Sequence, residues 1–313
     1  MGEIRMKKEV YLVNAFTYND KGGNGAGVVP DAKGLSTEMM QAIAKEVGLS
    51  ETAFITKAEG NEDYDFEVKF FTPTTEVDLC GHATIAAFST LGQLGIINGS
   101  NEIIKIKQKT LAGILDVELT FENNKLQNVL MTQAAPKFLF SLSVQDLEPL
   151  CEIMGISIND IGVGVTGYTA RPMAVSTGLS DLILPVKTLD ALKSITPDFK
   201  ALADYSNDKN LIGVHAFTFK TENSASTVST RNFGPAVGID EESATGTANG
   251  ALAAYLIKNK LYPFTDDTTI VCEQGYYMGN PSEVIAKVQG EMDDFIIKVG
   301  GKATILDKKE INL

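Results

Sequence analysis

The sequence predicts an α+β protein built as two similar lobes. Three observations carry this expectation. The chain has 313 residues, more than one average domain. Strand-like stretches alternate with two helices unusually rich in alanine and glycine. The order of these elements recurs after about 160 residues, a period too long for a solenoid repeat and suited to paired lobes. The expected division is a first lobe over 1–125 and a second over 126–295, with a last strand over 296–313 returning to the first.

Val10-Tyr-Leu-Val-Asn-Ala-Phe16 reads as an apolar strand, followed by a glycine-rich loop over Gly22–Gly27. A helix is predicted from Ser36 to Val47, with Ser36 as N-cap, Met39, Met40, Ile43 and Val47 at helical spacing, and Gly48 ending it. Ser50–Thr56 and Tyr64–Thr72 read as strands, then Gly81–Gly95 as a helix of small residues, then Glu102–Lys109, Gly113–Phe121 and Lys125–Thr132 as strands. Ala134-Ala-Pro136 reads as a hinge and Ser143–Met154 as an additional helix. In the second half, Thr196-Pro197 is read as the N-cap and first position of a helix reaching Tyr205. Strands Leu211–Lys220 and Ala225–Phe233 and a second small-residue helix, Gly246–Lys258, follow.

The repeat has landmarks. Phe71-Thr-Pro73 and Phe233-Gly-Pro235 each close a strand, and each leads to a glycine-led helix start, Gly81-His-Ala83 or Gly246-Thr-Ala248. A helix with so little side-chain volume fills a core poorly unless sheet backbone approaches it on several sides, so each is expected at the centre of its lobe. Ordinary amphipathic helices lying on one sheet are the alternative.

Composition excludes several function classes. Forty acidic residues against 27 basic ones leave a formal charge of −13, a field that repels nucleic acid and anionic membrane surfaces. No apolar run reaches the roughly 20 residues that span a bilayer, and Met1–Lys8 lacks a following apolar segment of the signal-peptide kind. Three cysteines, Cys80, Cys151 and Cys272, form no disulfide framework, and a reducing cytoplasmic location fits them. With two histidines, His82 and His215, and no HExxH, CxxC or paired-histidine spacing, no metal is expected. The adjacent acids Asp240-Glu-Glu242 lack the spaced partners that a metal site needs. Neither a GxGxxG nor a Walker-type loop is present.

The chemistry points to the two helix starts, Cys80-Gly81-His82-Ala83-Thr84 and Ala244-Thr245-Gly246-Thr247-Ala248. Backbone N–H groups at a helix start favour a carboxylate, glycine permits close approach, and hydroxyl and imidazole groups add donors. Well-capped helices with no ligand are the plain alternative. Arg171, after the loop Gly162–Gly167, is read as a surface residue rather than a substrate clamp.

Taken in order, Gly23-Asn24-x-Ala26-Gly27-Val28, Leu49-Ser50-Glu51-Thr52-Ala53-Phe54, Phe71-Thr-Pro73, Glu76, Cys80-Gly-His-Ala-Thr84, Arg231-x-Phe233-x-Pro235, Ala244-Thr-Gly-Thr-Ala248 and Glu273-Gln-Gly275 with Met278-Gly279 and Pro281-Ser282 resemble the landmarks of the phenazine-biosynthesis PhzF-like family, which shares its fold with diaminopimelate epimerase. The resemblance covers about residues 10–290. It implies two pseudo-symmetric lobes, each a curled, mostly antiparallel sheet around a central helix, and an active site between them. It also implies one carboxylate, Glu51, carrying a proton between carbons of a bound acid, with no cofactor. His82 would donate to substrate or tune Glu51, and partial burial would raise the Glu51 pKa towards neutrality. Thr247 stands where the family commonly has serine, and Glu242 where it usually has aspartate before proline; here Ser243 follows. Gly25 and Asn280 replace a usual proline and arginine. Asn24, Cys80, Gly81, Ala83, Thr245 and Gly246 are the expected substrate-binding positions.

In diaminopimelate epimerase-like relatives, thiols precede the glycine of both helix starts. Here Cys80 fills the first place and Thr245 the second, and a hydroxyl does not replace a thiolate as base. The leading expectation is therefore a cytoplasmic isomerase, homodimeric by default, acting on a small carboxylic or amino acid with Glu51 as acid and base. An epimerase or racemase pairing Cys80 with Glu51, and a non-catalytic binding protein, are the competing readings. Cys151 and Cys272 are expected to be buried and inert.

Overall fold

The computed structural model describes residues 7–163, 170–291 and 294–312. The fold is a strand-rich mixture of α and β that divides into two compact units, one of residues up to Thr132 together with those from Gly300 onward, the other Gln133–Val299.

The first unit contains β1 (Lys7–Ala15), β2 (Asn24–Val29), α1 (Thr37–Val47), β3 (Glu51–Lys57), β4 (Phe66–Phe71), β5 (Glu76–Val77), α2 (Gly81–Gln93), β6 (Glu102–Thr110), β7 (Gly113–Glu122) and β8 (Lys125–Thr132). Strand β2 runs antiparallel to β1 and parallel to β3. Strand β4 is antiparallel to β3 and β5 and parallel to β6, and β6, β7 and β8 form a meander.

The second unit holds β9 (Lys137–Ser141), α3 (Val144–Met154), β10 (Met173–Ser176), β11 (Ser180–Pro185), α4 (Leu189–Ser194), α5 (Phe199–Asp208), β12 (Gly213–Thr218), β13 (Val228–Gly234), β14 (Ile239–Glu242), α6 (Gly246–Lys258), β15 (Asp267–Gln274), β16 (Ser282–Glu291) and most of β17 (Asp294–Gly301). The pairing sequence of the first unit recurs here. Strands β11 and β12 are parallel, β12 and β13 antiparallel, β13 and β14 antiparallel, β13 and β15 parallel, and β15 and β16 antiparallel. The final strand, β18 (Ala303–Asn312), lies antiparallel to β1. The tail expected as one strand over 296–313 is thus the end of β17 followed by β18.

Two sides of the first sheet bury different helices. Helix α1 begins at Ser36, whose hydroxyl accepts from Met39 N, and ends at Gly48 in the left-handed region. It lays Met40, Ile43 and Ala44 over Val10, Val29, Phe54 and Phe71, with the two phenyl rings edge-on at 5.4 Å. Helix α2 is buried at every residue from Ala83 to Leu91 and touches β1, β2, β3, β7, β8 and β18. Its many alanines are what let backbone approach on all those sides; the one large ring, Phe88, meets Phe66 edge-on at 6.0 Å. Helix α6 does the same in the second unit, buried from Ala248 to Ile257 against β10, β11, β12 and β16. Among the described residues, no helix is long and apolar enough to cross a membrane.

Three local expectations are corrected. The glycine-rich loop narrows to a turn at Gly22 and Gly23, both at positive φ, because Asn24 onward is drawn into β2. Glycine is needed there for proximity: a Cβ on Gly27 would lie 2.6 Å from Thr52 Oγ1 and 3.0 Å from Val47. The helix expected from Thr196-Pro197 starts later, because Asp198 caps it through Ala201 N; an aspartate carboxylate there satisfies a first-turn donor that proline leaves unserved. The short helix α4, capped by Thr188, was not anticipated. Most of Gly162–Gly167 lies outside the described residues.

Enlarging a central helix residue tests this packing. Ala86 is fully buried in α2, and Ala86→Leu should cost about 1–3 kcal/mol by overpacking, read as a lower urea midpoint at unchanged slope.

Candidate active site

Helix α2 starts without a side-chain cap. Its N-cap, Cys80, makes no capping hydrogen bond, so the sulfur is free to turn towards the ring two residues on. Cys80 Sγ lies 3.4 Å from His82 Nδ1. The opposite ring nitrogen, Nε2, is 3.3 Å from Glu51 Oε2 and 3.3 Å from Ser50 Oγ. Glu51 is the first residue of β3, placed by parallel pairing opposite Ala26. Its Oε2 is shielded from solvent and lacks hydrogen-bond alignment to the ring, so the contact with His82 is chiefly one of charge.

The electrostatics correct the expectation for Glu51. Burial does raise its carboxyl, but contact with His82, and then hydrogen bonds from Ser50 and Cys80, outweigh burial and hold the pKa below the usual carboxylate value. For His82 burial disfavours the charged ring, yet the neighbouring Cys80 and then Glu51 hold it well above the ordinary 6.5. Both shifts run towards the charged forms, carboxylate for Glu51 and imidazolium for His82. Gly81 and Ala83 occupy the same helix turn, and a Cβ on Gly81 would meet only Met131 Cε at 3.9 Å. Asn24 opens β2 opposite Ala15.

The second unit builds a different helix start. Thr245, the N-cap of α6, gives no side-chain cap because its hydroxyl donates to Glu242 Oε2 at 2.6 Å. Gln274 holds this corner: its amide donates to Glu242 O and Thr245 Oγ1, and its carbonyl accepts from Thr245 N and Asn249 Nδ2. Behind it, fully buried His215 lies 3.1 Å from Asn249 Oδ1 through Nε2 and receives Asn232 Nδ2 at Nδ1. Burial pushes His215 down to about 4, so its ring is neutral. Asp181, also buried, is pushed up to about 7 by burial and then by Glu242, against the hydrogen bond of Asn232. Gly246 is buried, while Thr247 receives Thr177 Oγ1 at its carbonyl oxygen.

The structure thus brings Glu51, Cys80, His82, Gly81 and Ala83 together in the first unit, and Glu242, Thr245, Gly246 and Thr247 in the second. Sequence reasoning missed Ser50, Asn249, Asn232 and the bracing role of Gln274, although Ser50 and Gln274 stand inside quoted landmarks. The acidic run offers no metal set: Glu241 is held bidentately by Arg231 at 2.8 Å and Glu242 by Thr245. Glu51, Cys80 and His82 do form a group of potential metal ligands, their donor atoms within 4.8 Å of one another. Spacing rules failed to find it because two sequence-distant elements assemble it. Cys151 and Cys272 are buried, and burial pushes both thiols up.

The neutral state of His215 has a measurable consequence. Its pKa is depressed from 6.5 to about 4, so between those values the unfolded chain binds the proton and folded stability falls as pH drops. Asp181, raised from 3.8 to about 7, acts oppositely over much of the same window. His215→Gln should therefore make the slope of stability against pH less positive by about 1 kcal/mol per pH unit between pH 4.5 and 6.5, measured by urea unfolding.

Comparisons with known proteins place the chain in a family. The sequence profile of PhzC-PhzF, the phenazine biosynthesis-like proteins, matches residues 13–309. An uncharacterised isomerase of Clostridium acetobutylicum is 34% identical over 309 residues, 98% of this chain and 99% of its own. The trans-2,3-dihydro-3-hydroxyanthranilate isomerase of Pseudomonas aeruginosa is 27% identical over 280 residues, 89% of this chain and 90% of its own. The crystal structure of the Bacillus anthracis phenazine biosynthesis protein of the PhzF family superposes with a TM-score of 0.84 at 29% identity, covering 98% of this chain and 99% of that one. The chain belongs to the phenazine biosynthesis-like PhzC-PhzF family and is an isomerase of that family.

Proposed function

We propose that the chain moves a proton between carbons of a small carboxylic acid, with Glu51 as the group that takes the proton and gives it back. The observation that carries this reading is the Glu51 carboxylate at the head of β3, 3.3 Å from His82 at the uncapped start of α2. A carboxylate held ionised beside an imidazolium is a base at neutral pH. The same imidazolium, with the first-turn N–H groups of α2, stabilises negative charge as it develops on the substrate carboxylate. Within the second unit, the α6 start is braced by Gln274 and Glu242.

The Pseudomonas aeruginosa relative named above acts on a cyclic dienoic amino acid, and an acid of that class suits one recycling carboxylate. A Cys80–Glu51 pair working from two sides of a carbon is the second reading, favoured by the sulfur lying in the same cluster.

A panel of small amino, hydroxy and cyclic dienoic acids, including trans-2,3-dihydro-3-hydroxyanthranilate, incubated in D₂O and followed by NMR, tests the proposal. Glu51→Gln should lower C–H exchange or isomerisation by about 10²–10⁴-fold, while Cys80→Ser retains turnover. Unchanged exchange in Glu51→Gln removes Glu51 from the mechanism; loss in both variants favours the two-base reading.

A further inference from the structure

We infer that Asp181 and Glu242 share one proton in the second unit, held chiefly on Asp181, and that Asp181 is thereby a positioning residue for Glu242 at the corner where α6 starts. Asp181 lies on β11 with 3% of its surface exposed. Its Oδ1 has no hydrogen-bond partner among the described residues, and its hydrogen bond comes from the side chain of Asn232. Asn232 of β13 stands opposite His215 of β12 on one side and opposite Glu242 of β14 on the other. Residues paired across antiparallel strands point to one face, so a single amide joins the surroundings of both carboxyls.

A buried carboxylate with one donor is costly, and a second carboxylate beside it adds repulsion. The charged groups on neighbouring strands do not relieve it. Arg231 is turned to Glu241 and to the carbonyls of Leu192, Lys193 and Ile195. His215 is kept neutral by burial, and the charge that bears on Asp181 is that of Glu242. Hydrogen bonding shows which partner holds the proton. Thr245 Oγ1 accepts from Gln274 Nε2, so its own proton goes to Glu242 Oε2 at 2.6 Å, and Glu242 is the acceptor there. Burial and then Glu242 push Asp181 up to about 7. Below that pH the corner carries one negative charge. Above it a second charge presses on Glu242, and through Glu242 on Thr245 and Gln274. A proton is thus stored near neutrality beside the residue that stands at the family's aspartate position.

His215 is a built-in reporter, because Asn232 contacts both its Nδ1 and Asp181. In the full chain with ¹³C,¹⁵N-labelled histidine, the His215 ring signals should step near pH 7 while the ring itself stays neutral. Asp181→Asn, which keeps the shape without the charge, should abolish the step, and Glu242→Gln should move it down by about 1 pH unit or more. Infrared spectroscopy gives a second reading that does not need the Glu242 variant. At about pH 5.5, where ordinary carboxyls are ionised, the wild type should show a neutral carboxyl C=O band that Asp181→Asn lacks. No His215 step in the wild type, a step that persists in Asp181→Asn, or an infrared band shared by both proteins overturns the buried proton. A step that Glu242→Gln leaves in place overturns its sharing with Glu242.

Discussion

The candidate site depends on one constraint: a carboxylate and an imidazole must be held in contact by elements that the chain reaches 30 residues apart. Glu51 can face His82 only if β3 begins where α2 begins. Parallel pairing of β2 with β3 sets the first of these positions, and burial of α2 against both strands sets the second. The alanines of α2 make this possible, since larger side chains would hold the helix off the sheet. The charge contact then decides the chemistry. Burial alone would raise the Glu51 carboxyl; the neighbouring ring outweighs that and holds it below the usual carboxylate value.

The second unit repeats the order of strand pairings but not the chemistry. Its helix start is a neutral latch of hydroxyl and amides, in which Gln274 reaches Glu242, Thr245 and Asn249 and neutral His215 reaches Asn249 and Asn232. Such a network is rigid because each buried polar atom within it has few alternative partners. Arg231 anchors the approach to it, pairing with Glu241 and donating to the carbonyls of Leu192, Lys193 and Ile195 at the end of α4. One helix start thus has a carboxylate against an imidazole, and the other a set of hydroxyl and amide donors and acceptors around Glu242.

Much of this was legible in the sequence, for identifiable reasons. Helix α1 announces itself through Ser36, Gly48 and 3.6-residue spacing, and α2 and α6 through glycine starts and runs of alanine. Glu51, Cys80 and His82 were visible as parts of motifs. Their mutual contact was not, because it depends on how β3 and α2 pack rather than on spacing. For the same reason the Glu51 pKa was misjudged: burial can be guessed from flanking apolar residues, whereas an imidazolium at 3.3 Å cannot. The β2 strand was hidden because Gly25 and Gly27 look like loop residues, although in the fold Gly27 makes room for the side chains of Thr52 and Val47. The Asp198 cap was overlooked because Thr196-Pro197 offered a plausible start just before it.

Having only two histidines gives a direct test of the central contact. In a titration of the chain with ¹³C-labelled imidazole, His215 should stay neutral until about pH 4, and His82 should titrate well above 6.5. In Glu51→Gln the His82 pKa should fall while His215 stays in place. An ordinary pKa for His82 in the wild type, or no change on removing the Glu51 charge, would contradict the carboxylate–imidazolium pair.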